Sequence, residues 1–140
     1  MFDLTKFTTT QKSEFERLAR DRKEDFEALR EKGRWTASVY LGPYIVEARL
    51  KFKICEALKL NLLPAVLKTH DLSALAIFAG LWDELNALPG ISDNFKKIRR
   101  LHLDAEWRYQ AAVPSHKANS DRLNYWLFNP KNGVITWLGL

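Results

Sequence analysis

Apolar side chains recur along the first third of the chain at alternating steps of three and four: Phe15, Leu18, Phe26 and Leu29, with Arg22 on the same line. That is the period of one helix face, and lysines and glutamates fill most other positions from 12 to 32. The pattern predicts a first helix capped by Thr10 and stopped by Gly33, with its mixed charges on a solvated face. From Arg34 to Leu60 the stripe widens through Val39, Leu41, Ile45, Val46, Leu50, Ile54 and Leu58. A stripe that broad predicts a long central helix touching several others, with a kink or short break where Gly42-Pro43 removes a backbone donor.

Asn61 to Asp71, with Pro64 inside it, reads as a connection. Leu72 to Leu81 is apolar enough for a buried helix ending at Gly80, and Trp82 to Leu88 gives a short piece closed by Pro89-Gly90. Ser92 is placed to cap the next helix, whose face carries Phe95, Ile98, Leu101 and Ala105 and which fades near Arg108. Val113-Pro114 reads as a loop, and Ser120 as the cap of a helix carrying Leu123, Trp126 and Leu127. Asn129-Pro130 then has the form of a cap with proline at the first helical position, so Gly133 to Leu138 continues helically after a bend. Asn132-Gly133 has no alternating strands beside it and predicts no hairpin. The expected fold is all-α: an antiparallel up-and-down bundle of about five helices in a single domain, residues 1–140.

Composition agrees with a packed core, since the hydrophobic share is 46% and the aromatic share 12%. The net charge of +5 is not uniform: residues 1–33 are balanced, whereas 34–72 and 93–122 carry the basic excess. Such segments suit an anionic partner such as RNA or a nucleotide. A single cysteine, Cys55, in an apolar stretch reads as a buried thiol. No apolar run approaches the roughly 18 residues that a membrane span needs, and the N-terminal sequence lacks a basic stretch followed by an apolar one. A cytoplasmic protein with no membrane association is expected. Five Trp and eight Phe are a generous supply for so small a bundle and point to a homodimer.

Four groups of residues carry candidate chemistry. Glu47 and Lys51 stand one turn apart on the apolar central helix, either as a buried ion pair or as a carboxylate and an amine lining a pocket. His70-Asp71 follows Thr69 at a helix start, where Asp71 suits the cap and His70 can hold the loop by a hydrogen bond. Lys96, Lys97, Arg99 and Arg100 form a basic cluster able to contact phosphates. Arg108, Tyr109 and His116 form the fourth. His70, His102, His116 and Cys55 show no recognised ligand spacing, so no metal and no cofactor is expected.

The run GPYIVEARLK at 42–51, THDL at 69–72 followed by an apolar segment ending AGL, WRY at 107–109 and the closing GVITWL resemble, in order and spacing, the signatures of HEPN domains. The resemblance spans roughly residues 35 to 140. It implies an antiparallel helical bundle that commonly dimerises. It also implies settings in which the family occurs: nucleotidyltransferase partners, toxin–antitoxin pairs and phage defence. Many members are metal-independent ribonucleases that use an Arg followed by a His after four to six residues. Here seven residues separate Arg108 from His116 and Pro114 lies among them, so the chain departs from that motif. RNA cleavage without a metal needs an acid/base group and a positive charge near the phosphate, which His116 and Arg108 could supply across a two-fold axis. Three functions follow: a dimeric binding or partner module in an RNA- or nucleotide-linked system, a ribonuclease with a relaxed motif, or a structural dimerisation subunit.

Overall fold

The computed structural model describes residues 10–104 and 116–140. Among them the protein is all-α, with seven α-helices and no strand: α1 Lys12–Glu31, α2 Trp35–Ala57, α3 Leu72–Phe78, α4 Trp82–Asn86, α5 Pro89–Leu103, α6 His116–Phe128 and α7 Val134–Leu138. A single 3-10 turn, Ala65–Leu67, lies in the connection before α3. The short helices α3, α4 and α7 fall on the segments expected at 72–81, 82–88 and 133–138, and counting each of them separately gives seven where about five were expected.

The central helix is α2. It packs along α1 and meets α3, α5, α6 and α7, and nearly every position from Ile45 to Cys55 is buried. It runs unbroken through Pro43, without the short break that was expected there as the alternative to a kink. The reason lies in its neighbour Gly42, where a Cβ would stand 2.6 Å from Leu123 of α6 and 3.0 Å from the Phe26 ring of α1. Gly42 therefore permits a close three-helix approach, and the apolar area buried there outweighs the one backbone bond that Pro43 removes. Close by, Arg30 donates to Ser120 at 2.8 Å and to Asp121 at 3.1 Å. Ser38 donates to the Trp35 carbonyl at 2.7 Å, so the Ser120 hydroxyl is the donor in the 2.7 Å Ser38–Ser120 pair.

Tertiary contacts move several boundaries. Ser120 lies inside α6, buried in that network, instead of capping it. α5 begins at Pro89, three residues before Ser92, with proline in the first turn where its missing donor costs least. Gly90 lets the C-terminal turn approach, since a Cβ there would meet Asn132 at 2.5 Å. Thr10 does not cap α1: Gln11 holds that position, and the Thr10 carbonyl accepts from Leu63 in a single antiparallel bridge with the 61–63 segment. Leu18 is exposed because the buried line of α1 runs through Phe15, Ala19 and Phe26. Gly33 does close α1 with φ of 69°, and Gly80 follows α3 with φ of 73°. Asn129 caps a turn by accepting from Lys131 and Asn132, and α7 starts beyond it at Val134. No helix among the described residues is long and apolar enough to cross a membrane.

The close approach at Gly42 can be checked directly. Gly42→Ala gains helix propensity of about 1 kcal/mol but overpacks a filled site at a cost of about 1–3 kcal/mol. A net loss in urea-unfolding stability is expected, and the same Gly42→Ala change should cost less in a Leu123→Ala background, itself about 2–5 kcal/mol less stable; an undiminished midpoint would contradict the packing described.

Candidate functional site

Near the middle of α2, Glu47 is 7% exposed, with the fully buried Val46 and Leu50 beside it on the helix. Lys51, one turn on, donates to its Oε2 at 3.3 Å and is itself buried. The other oxygen, Oε1, receives two imidazoles: His70 Nδ1 at 2.6 Å and His102 Nε2 at 3.0 Å. His70 comes from the connection before α3 and His102 from the last turn of α5, so one oxygen joins three parts of the chain. An ionised carboxylate only accepts, which makes both ring nitrogens donors. A neutral His70 then presents Nε2 as an acceptor, and its side chain is 63% exposed whereas that of His102 is 1% exposed.

Local structure explains the convergence. Asp71 caps α3 by accepting from Ser73 at 3.0 Å, and its own backbone N–H donates to Thr69 Oγ1 at 3.1 Å. Arg99 of α5 grips the same carboxylate, with Nε at 2.9 Å, and so fastens the His70 connection to the helix that carries His102 one turn later. Tyr44, one turn before Glu47, packs edge-on against both imidazoles, its ring centroid 4.6 Å from that of His102 and 6.0 Å from that of His70.

The electrostatics follow from these contacts. Burial alone would push the Glu47 carboxyl up, but the His102 hydrogen bond, the Lys51 charge and His70 together hold it below its ordinary value. Asp71 is also held low, chiefly by the Arg99 hydrogen bond. That pair is more than a third exposed, and solvent screening keeps its worth at about 1 kcal/mol or less.

The sequence-derived candidates separate into three sets. Glu47, Lys51, His70 and Asp71 come together here, and Arg99 joins them through Asp71. Lys96, Lys97 and Arg100 lie exposed along α5, whose Phe95 and Ile98 are buried. Arg108 and Tyr109 lie outside the described residues, as do the Val113-Pro114 loop and the WRY segment. His116 is buried at the first position of α6, and burial pushes its pKa below 6.5. His102 was missed as a site residue; its signal was its place on the apolar line Phe95–Ile98–His102, where a histidine has to find a polar partner inside the core.

This arrangement offers an oriented, partly exposed imidazole backed by a buried carboxylate. It also offers three donor atoms, one each from Glu47, His70 and His102, all within 4.8 Å of one another, as a metal site needs. The fold and site thus define an all-α protein with a histidine–carboxylate–lysine centre at the junction of α2, α3 and α5. No protein-family model, curated protein or solved structure matches the chain. Function is therefore read from the residues themselves.

Two measurements test this geometry. Glu47→Ala strands a buried lysine and a buried histidine and is expected to cost about 3–5 kcal/mol. Lys51→Met leaves Glu47 its two histidine donors and should cost clearly less; equal losses would mean that the histidines do not share the carboxylate. For His116 the fold favours the neutral form, whereas the unfolded chain takes a proton near the ordinary value of 6.5. Stability from this group is present above that value and is lost as pH falls from there towards the lower folded pKa. The urea midpoint should fall from pH 7.5 to pH 5.5, and the fall should be smaller in His116→Gln; parallel curves would remove His116 as its source.

Proposed function

We propose that this chain is a HEPN-like up-and-down helical module that forms a homodimer and binds the phosphates of RNA or a nucleotide. The observation that carries the reading is the basic side of α5. Lys96, Lys97 and Arg100 are exposed along it, and Arg99, on the same helix, reaches the rim of the histidine–carboxylate centre. Lys97 also lies 5.8 Å from the Trp126 ring centroid, which brings an aromatic face of α6 beside the cations. Cations next to aromatic rings suit nucleic acid, because phosphates take the charge and bases stack. Exposed apolar side chains at Ile77 and Phe78, each 52% exposed, give a second copy something to cover.

The order and spacing of the HEPN-like signatures support the same reading, and two of them meet in space: Glu47 and Lys51 of the first contact His70 of the second directly or through the shared carboxylate. A toxin–antitoxin or phage-defence setting, with a nucleotidyltransferase or antitoxin partner, accords with that resemblance. The buried position of His116 favours the binding module over the ribonuclease built on Arg108 and His116, because acid/base work at a phosphodiester needs access to substrate.

Filter binding of single-stranded RNA tests the proposal. Affinity should fall steeply with salt, and Lys96→Glu with Arg100→Glu should weaken it about tenfold or more and flatten the salt slope. Light scattering at micromolar concentration should report a dimer. RNA affinity indifferent to the charge reversals would overturn the phosphate-binding face, and a monomer would overturn the dimer. Cleavage in EDTA that His116→Ala abolishes, with the fold intact by circular dichroism, would replace the binding module by the ribonuclease.

A further inference from the structure

We propose that Glu47, His70 and His102 form a binding site for a divalent transition-metal ion, of which zinc is the reference case. This goes beyond the phosphate-binding reading and does not depend on it. The donor atoms are Glu47 Oε1, His70 Nδ1 and His102 Nε2, all within 4.8 Å of one another. Two imidazoles and one carboxylate are the three-ligand set that leaves a coordination position open in zinc enzymes and in non-haem iron sites. Oxygen-loving Mg²⁺ and Ca²⁺ are poor matches for two ring nitrogens.

The movement required is small. Two ligands bound at about 2.1 Å to a tetrahedral centre stand about 3.4 Å apart. The carboxylate oxygen is now 3.0 Å from the His102 nitrogen and 2.6 Å from that of His70. Relative to Glu47, His102 has to retreat about 0.4 Å and His70 about 0.8 Å, and the two ring nitrogens, which lie within 4.8 Å of each other, have to take up the same separation of about 3.4 Å. The larger shift falls on the residue that is free to make it, since the His70 side chain is 63% exposed. Each ring nitrogen that now donates to Glu47 has to lose that proton to take an ion; a neutral ring regains one on its other nitrogen and a doubly protonated ring releases one, so binding weakens in acid.

The surroundings have the features that orient metal ligands. Lys51 holds Oε2, which leaves Oε1 to face the two imidazoles and makes the carboxylate a one-oxygen ligand. Tyr44 packs edge-on against both rings, within 4.6 Å of His102 and 6.0 Å of His70 by ring centroid. The exposed side of His70 gives the ion a way in and the open position an outlet to solvent. The Lys51 charge opposes a dication, which places the expected affinity well below that of a closed structural zinc site.

The test uses untagged full-length protein, with Zn²⁺ and Co²⁺ as probes and Mg²⁺ as control. Equimolar Zn²⁺ binding by calorimetry is expected, with a melting temperature that rises with Zn²⁺ and not with Mg²⁺. Co²⁺ should give visible absorption of the low-symmetry four-coordinate kind. His70→Ala, which removes an exposed ligand, should weaken Zn²⁺ binding at least about tenfold and abolish the Co²⁺ spectrum. In unaltered protein, Zn²⁺ should shield His70 from acylation by diethyl pyrocarbonate, a readout that needs no variant. No equimolar binding in the wild type, or binding and acylation indifferent to His70, would overturn the site. Because His70 is not among the cations assigned to RNA, loss of metal with RNA affinity retained, or the reverse, separates this proposal from the phosphate-binding one.

Discussion

A carboxylate buried in an apolar core is tolerable only when its lone pairs are filled, and Glu47 meets that condition with donors from three places. Lys51 follows it on the same helix, His70 lies 23 residues away in sequence and His102 lies 55 away. Desolvating an unpaired ion costs several kcal/mol, more than any single neighbouring apolar contact returns. The two histidines cannot leave without exposing that cost, so α5 and the connection before α3 are pinned to the middle of α2.

Two other polar or small positions of α2, Ser38 and Gly42, fit it to its neighbours in the same manner. Ser38 meets Ser120 of α6, and Gly42 admits Leu123 of α6 and the Phe26 ring of α1. Glu47 then fixes α5 and the α3 entry. Between these points Val46, Leu50 and Ile54 are fully buried and supply area without direction. Asp71 doubles the tie at the α3 entry, because one carboxylate both caps the helix and holds Arg99. Long-range order in this small protein thus rests on a few polar contacts placed one or two turns apart along a single helix.

The helices were legible from apolar spacing because that spacing reflects which side is buried, and Gly33 and Gly80 marked their ends because left-handed backbone favours glycine. Boundaries assigned from serine were less secure. A serine hydroxyl caps a helix only where nothing else claims it, and Ser120 is claimed by Arg30 and Ser38. Thr10 was lost as a cap for a similar reason, its backbone being drawn to Leu63. Pro43 stayed inside a helix because its effect depends on tertiary packing beside Gly42, which no local pattern encodes. At the site, Glu47, Lys51, His70 and Asp71 were visible as polar residues in apolar surroundings. Their meeting with His102 and Arg99 was not, because the partners stand 55 and 28 residues apart in sequence and share no spacing.

A purely structural account of the centre leaves one feature unexplained. Buried ion pairs are rarely more stabilising than apolar residues of the same volume, so stability alone does not call for this cluster. Two of the donors to Glu47, Lys51 and His102, are themselves buried, as a sealed charge would have them. His70 adds a third donor whose side chain is 63% exposed, and it is held there by an elaborate connection: the Asp71 cap, the Thr69 turn and the Arg99 clasp. An imidazole oriented by a buried carboxylate and open to solvent on its other edge is the form that reactive histidines take in proton transfer and in metal ligation. Together with the neighbouring cations of α5, that exposed edge is the reason we propose the junction of α2, α3 and α5 as the place where this fold meets a ligand.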